Sequence, residues 1–239
     1  MQTYVLSGLH NFTFLNWAFK NSTIVIEKEI LKERRGVDLC GRYWLSERLE
    51  DLAKIYQADI KVDNIPELGS EIFPSQNVPS IFQEEEKNQL KLLKWGFPNP
   101  FRSGTIINAR AETVAEKNMF KEPFVSKRCI IPANAFFEWK KTENGKIKYK
   151  ISLKEQSLFS MAAIYERFNS KDGIAYEAMV IITRNAVSEL TDIHNRMPVI
   201  LSPRDENIWL DNNITSRQQL FDILENINNW NYEVEEANY

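Results

Sequence analysis

At 239 residues, the chain is long enough for one large domain or two small ones with a true core. Its 43% hydrophobic and 26% charged residues are ordinary for a soluble globular protein. No run approaches the roughly 18 apolar residues of a membrane span, and the N-terminus lacks the basic-then-apolar order of a secretory signal. Two cysteines, Cys40 and Cys129, exclude a disulfide framework and a thiolate metal site and fit a reducing cytoplasm. The net charge of −3 is unevenly spread: residues 91–150 hold 13 Lys or Arg against 5 Asp or Glu. Such a stretch reads either as a phosphate-binding face or as solvated surface.

Residues 1–39 carry no hydrophobic period and no motif, and Glu27 to Arg35 is a charged run. They read as an N-terminal extension: an extra segment, a propeptide removed ahead of Cys40, or the product of a start codon placed too early. Leucine can be encoded by TTG, an alternative bacterial start, and Arg34-Arg35 by a ribosome-binding AGG-AGG, so initiation at Leu39 is one of the three.

Beyond Cys40 the pattern is regular. Ser46 is placed to cap a helix running to about Gln57, with Leu49, Leu52, Ala53 and Tyr56 on one face. Residues 63–80, punctuated by Pro66, Gly69, Pro74 and Pro79, read as loop. Leu90 to Trp95 is strand-like and is broken by Gly96-Phe97-Pro98, and Asn108 to Thr113 opens a short helix. Strands are expected at Arg128–Pro132, Ala135–Trp139, Ile147–Leu153, Leu158–Tyr165 and Tyr176–Thr183, with Asn144-Gly145 as a hairpin turn. Ser202-Pro203 starts one helix and Thr215-x-x-Gln218 boxes another. The polar, acidic tail from Asn228 reads as loose. Adjacent strands flanked by helices predict an α+β domain over residues 40–227, built on a mainly antiparallel sheet.

Four groups can carry chemistry. Cys40, in Leu39-Cys40-Gly41-Arg42-Tyr43, is either a small buried residue or, as a chain start, a double nucleophile with a thiol and an α-amine. An amine can condense with an aldehyde and the thiol can then close a five-membered thiazolidine, which an internal cysteine cannot do because its nitrogen is an amide. Glu138, among Phe136, Phe137 and Trp139, is either a water-excluded acid–base group or an outward carboxylate on a strand. His194 lies in a polar loop after a buried strand, where function concentrates; the other histidine is His10. Asn108 can orient an amine, and Arg110 can grip a phosphate or pair with Glu112. Trp95, Phe97 and Trp139 offer faces for unpaired bases, or pack in a core.

Six stretches occur in this order: Cys-Gly-Arg-Tyr, Trp-Gly-Phe-Pro, Asn-Ala-Arg-Ala-Glu-Thr, Lys-Arg-Cys-Ile-Ile-Pro-Ala, Phe-Phe-Glu-Trp-Lys and Ile-His-Asn-Arg-Met-Pro-Val-Ile-Leu. Together they resemble the SRAP family, the SOS-response-associated peptidase-like proteins, across roughly Cys40 to Trp209. The resemblance implies a strongly curved, barrel-like core. It also implies a cytoplasmic bacterial protein, nucleoid-associated when on DNA, that captures abasic sites in single-stranded DNA as a thiazolidine crosslink through an N-terminal cysteine. Carried over motif by motif, the catalytic set is Cys40, Asn108, Glu138 and His194. Asn108 positions the α-amine, and Glu138 and His194 move protons. DNA contacts fall to Arg42, Arg110 and Arg196, with Trp95, Phe97 and Pro74 near the lesion. No metal or organic cofactor, no membrane and a monomeric state are expected. Two departures stand out: 39 residues precede the cysteine, and Phe73-Pro74-Ser75-Gln76 is a looser match. The alternatives are a thiol autopeptidase cutting before Cys40 and a non-covalent single-stranded DNA binder.

Overall fold

A computed structural model describes residues 40–62, 70–101, 103–226 and 228–237. The expected extension at 1–39, with its start-site reading and His10, lies outside the described residues.

In chain order the elements are β1 (Arg42–Leu45), α1 (Leu49–Ile55), β2 (Ala58–Ile60), β3 (Ser70–Ile72), β4 (Asn77–Glu84), β5 (Lys87–Trp95), β6 (Phe97–Pro98), β7 (Thr105–Ile106) and β8 (Asn108–Arg110). A 3-10 turn (Ala111–Thr113), α2 (Lys121–Ser126), β9 (Arg128–Ala133), β10 (Ala135–Thr142), β11 (Gly145–Leu153), β12 (Phe159–Asn169) and β13 (Ala175–Asn185) follow. A second 3-10 turn (Ser188–Leu190), β14 (Arg196–Pro198), β15 (Ile200–Leu201), α3 (Pro203–Leu210), α4 (Arg217–Glu225) and β16 (Tyr232–Glu236) complete it. Among the described residues no helix is long and apolar enough to cross a membrane.

Five strands close on themselves. β13, β12, β9, β4 and β5 are neighbours in that order, and β5 returns to pair in parallel with β13 at Lys94 with Ala178 and Trp95 with Met179. A ring this narrow leaves room for short or slender inward side chains. Every residue of β9 is buried, as expected of a strand covered on both faces. Gly96, immediately after β5, makes the exit possible. Its φ of +120° is closed to most residues, and a Cβ there would meet the Thr105 Cβ at 2.8 Å. A second sheet runs β16-β11-β10-β1-β3 and packs Tyr43, Leu45, Phe136 and Ile151 into the common core. The architecture is the expected one: α+β, mainly antiparallel, barrel-like.

Details differ from the sequence reading for local reasons. The first helix is capped at Arg48 without a side-chain bond, because Ser46 is held by Asn134 Oδ1 through both its N–H (2.8 Å) and its hydroxyl (3.1 Å). The expected loop at 63–80 contains β3 and the start of β4, with Pro79 inside a strand. Within Asn108 to Thr113, the first three residues extend and only the last three coil. The second capping box shifts by one residue: Ser216 Oγ accepts from the Gln219 N–H at 3.4 Å. The acidic tail is not loose, since β16 forms the sheet edge beside β11 from Tyr149–Glu236 to Leu153–Tyr232.

Candidate active site

Cys40 lies immediately ahead of β1 and is 1% exposed. Two distant segments meet it, and a third joins through one of them. The Asn108 side-chain Nδ2 donates to the Cys40 carbonyl at 3.0 Å, from a strand whose backbone is fixed in parallel register against Ile181 of β13. The Cys40 thiol hydrogen-bonds Glu138, which is 1% exposed and lies on β10 in the second sheet. Glu138 Oε2 in turn stands 3.7 Å from His194 Nδ1, in the turn leading into β14. The four residues are thus brought together at the seam between the barrel and the second sheet.

The electrostatics follow from burial. Desolvation is the main reason the Cys40 thiol is pushed well above its usual range; the Glu138 charge and hydrogen bond push it further, against a smaller opposing effect of the Arg42 backbone N–H. The thiol is therefore neutral at physiological pH, with a proton acceptor in contact. His194 Nδ1 faces both the Arg196 backbone N–H at 3.1 Å and the Arg196 carbonyl at 3.3 Å, so it can accept from the first or donate to the second. The Asn108 Oδ1 is buried and has no hydrogen-bond partner among the described residues. An orphaned acceptor of this kind costs about 1–3 kcal/mol and sits on the amide that already grips Cys40.

The expected DNA contacts divide. Arg42, on β1, is one-third exposed; its guanidinium pairs with Glu71 Oε1 at 3.0 Å and lies 4.5 Å over the Phe73 ring and 5.2 Å over Trp139. Pro74 follows Phe73 on this rim and is half-buried, and Arg110 is exposed. Trp95 and Phe97 are corrections. Both are fully buried: Trp95 donates to the Ile107 carbonyl at 3.0 Å and packs on Tyr43, and Phe97 packs between Phe120 and Phe168. Neither has a face left for a base. Arg196 is a third correction, because its guanidinium is buried and bound to Glu112 rather than turned outward. The Glu112 partner weighed in the sequence was Arg110, and the fold selects Arg196 instead.

The sequence also concealed a buried cation. Lys148 is 5% exposed, donates to Glu71 Oε2 at 2.6 Å and lies 4.2 Å over Phe137. The alternation of Ile147 to Leu153 does not show this burial, because the carboxylate that covers Lys148 comes from Glu71 on β3. Part of the basic middle third is likewise paired within the protein, with Lys91 on Glu84, Lys127 on Glu166, Lys140 on Asp192 and Arg128 on backbone carbonyls.

A family model for SOS response associated peptidase (SRAP) matches residues 39–238. Abasic site processing protein YoqW of Bacillus subtilis is 37% identical over 197 residues, covering 78% of this chain and 87% of its own length. Abasic site processing protein YedK of Escherichia coli is 32% identical over 189 residues, covering 75% and 83%. A solved structure from Bacteroides thetaiotaomicron superposes with a TM-score of 0.72 at 26% identity, covering 83% of this chain and 92% of that one. A match that begins one residue before Cys40 and runs past the last strand of the second sheet places this chain in the SRAP, or SOS response associated peptidase, family.

Proposed function

We propose that the protein recognises abasic sites in single-stranded DNA and joins them covalently to Cys40, in a form whose first residue is Cys40. The observation that carries this reading is the convergence of a thiol, an amide, a carboxylate and an imidazole from four separate segments. The naming of its relatives YoqW and YedK as abasic site processing proteins supports the same lesion as substrate.

The chemistry balances without an added reagent. The sugar at an abasic site opens to an aldehyde. The Cys40 α-amine attacks the carbonyl carbon, a C–N bond forms, and the carbinolamine loses its hydroxyl as water, with His194 and Glu138 supplying and taking protons. The Cys40 sulfur then adds to the imine carbon and the thiol proton passes to the nitrogen, with Glu138 as carrier. One water leaves and a thiazolidine remains. Asn108 holds the cysteine in attacking position: Nδ2 engages its carbonyl, and Oδ1 is the acceptor for its α-amine. Arg42, Pro74 and Arg110 supply contacts to the strand.

The test is incubation of protein isolated from its own cells with an abasic single-stranded oligonucleotide, read on a denaturing gel beside N-terminal sequencing. The expected result is a heat-stable adduct from chains that begin at Cys40, and none from Cys40→Ala. Chains that begin at Cys40 yet bind the strand without an adduct would reduce the function to non-covalent binding. Self-cleavage before Cys40 is the second reading, favoured by a thiol one bond from the cut and in contact with Glu138. A full-length mass that is stable on incubation eliminates it.

A further inference from the structure

Arg196 is buried two residues after His194, and both terminal nitrogens of its guanidinium are held within the fold. Nη1 donates to Glu112 Oε1 at 2.6 Å and to Asn185 Oδ1 at 2.7 Å; Nη2 donates to Glu112 Oε2 at 3.0 Å and to the Thr183 carbonyl at 2.6 Å. This is the two-pronged arrangement in which a guanidinium is held most firmly. A phosphate could bind there only by displacing these partners inside a site where the arginine is 7% exposed.

The two ends of the ion pair belong to different parts of the site. Glu112 lies in the 3-10 turn directly after β8, four residues from Asn108. Arg196 begins β14, and its own backbone N–H is the donor that His194 Nδ1 accepts at 3.1 Å. The Arg196 carbonyl lies 3.3 Å from the same nitrogen, and Glu138 Oε2 lies 3.7 Å away. The shorter of the two Arg196 approaches is that of the N–H, which leaves the ring proton to Nε2, and the ion pair holds the residue that carries this N–H.

The geometry points to Arg196 and Glu112 as positioning residues: a clamp that ties the Asn108 segment to the His194 segment and fixes His194 in its Nε2–H form. The neutral ring then offers its Nε2–H as a donor, while Nδ1 stays engaged by the Arg196 N–H. For its effect on rate this inference rests on the crosslinking function proposed above; for the tautomer it does not.

The test uses the full-length chain with 15N-labelled histidine, His10→Asn serving to assign the two rings. In the unaltered chain His194 should show the neutral Nε2–H pattern. Glu112→Gln keeps the size of a side chain that is 45% exposed, and Arg196→Lys keeps the charge but not the fork. Both should populate the Nδ1–H form. On an abasic strand, protein isolated from its own cells should crosslink roughly tenfold more slowly with Glu112→Gln, as expected of a misplaced reacting group, while its affinity for intact single-stranded DNA is unchanged. A tautomer unaltered in both variants overturns the clamp. So does weaker DNA binding by Arg196→Lys with a salt slope flatter by about one, which is the mark of a lost phosphate contact. Failure of the unaltered protein to crosslink would instead count against the functional reading, while the tautomer experiment still decides the clamp.

Discussion

Cys40 is stored as a thiol, not as a thiolate. Burial contributes most to this, followed by the charge of Glu138 and its hydrogen bond. Many reactive cysteines depend on the opposite arrangement, a nearby cation that lowers the thiol pKa. The difference suits a nucleophile that acts second, as in the proposed reaction. There the amine forms the imine first, and a thiol that stays protonated until Glu138 takes its proton would be protected from alkylation and oxidation meanwhile. Replacing Glu138 by Gln removes the charge and keeps the shape, so the thiol should become more acidic. In a pH series of iodoacetamide labelling followed at the Cys40 peptide, the midpoint should move down in Glu138→Gln. Crosslinking should fall by about a hundredfold or more, because proton transfer by a placed group contributes about that much. An unmoved labelling midpoint would mean that Glu138 does not set the state of the thiol.

At the scale of elements, Arg128 joins the helical flank to the barrel. It begins β9, is 1% exposed, and donates to the carbonyls of Trp209 (2.7 Å), Asp211 (2.5 Å), Ile214 (3.1 Å) and Val125, the open ends of α3 and α2 and the loop between α3 and α4. Helix ends leave carbonyls without intrahelical partners, and here one guanidinium serves two of them. Burial draws its pKa down to about 10. Arg128→Met would fill similar space and orphan these acceptors together, costing about 3 kcal/mol or more; urea unfolding at pH 7 measures it, and a loss under about 1 kcal/mol would show that water replaces the guanidinium. Arg128 also marks where sequence reading ends. β11 was legible because Ile147 to Leu153 alternates and Asn144-Gly145 punctuates its start, and Ser202-Pro203 was a true helix start. Closure of β5 onto β13 was not legible, because parallel pairing between strands some 80 residues apart leaves no local pattern. β16 was hidden by its acidity, since an edge strand needs few apolar residues. Cys40, Asn108, Glu138 and His194, singled out through the order of their motifs, lie together in the fold. The burial of Trp95, Phe97 and Arg196 was not legible, because a core aromatic and a base platform, or an internally paired arginine and a phosphate ligand, are the same letters until the fold separates them.

Across the whole molecule, the site depends on two sheets sharing one core, and that core holds acids that must stay protonated. The thiols of Cys40 and Cys129 and the hydroxyls of Tyr43, Tyr56 and Tyr165 are all raised chiefly by burial, and Tyr232 is raised to about 12. In each case the folded value lies above the unfolded one, so the native state binds more protons than the unfolded state at alkaline pH. Their contribution is complete below about pH 8.5, the unfolded thiol value, and is lost as pH rises toward the folded values. Each group can contribute a slope of at most about 1.4 kcal/mol per pH unit. The two thiols alone, at 1% and 0% exposure, should therefore steepen the loss to nearly 3 kcal/mol per unit just below pH 10, before the tyrosines join. Urea unfolding at pH 7.5, 8.5 and 9.5 should show a plateau followed by a fall. Cys129→Ala, although less stable at pH 7.5 because of the cavity, should fall about half as steeply over the last interval. A flat profile, or an equal slope in the variant, would mean that the thiols meet water in the native state, and the same access would expose Cys40 at the seam where the two sheets meet.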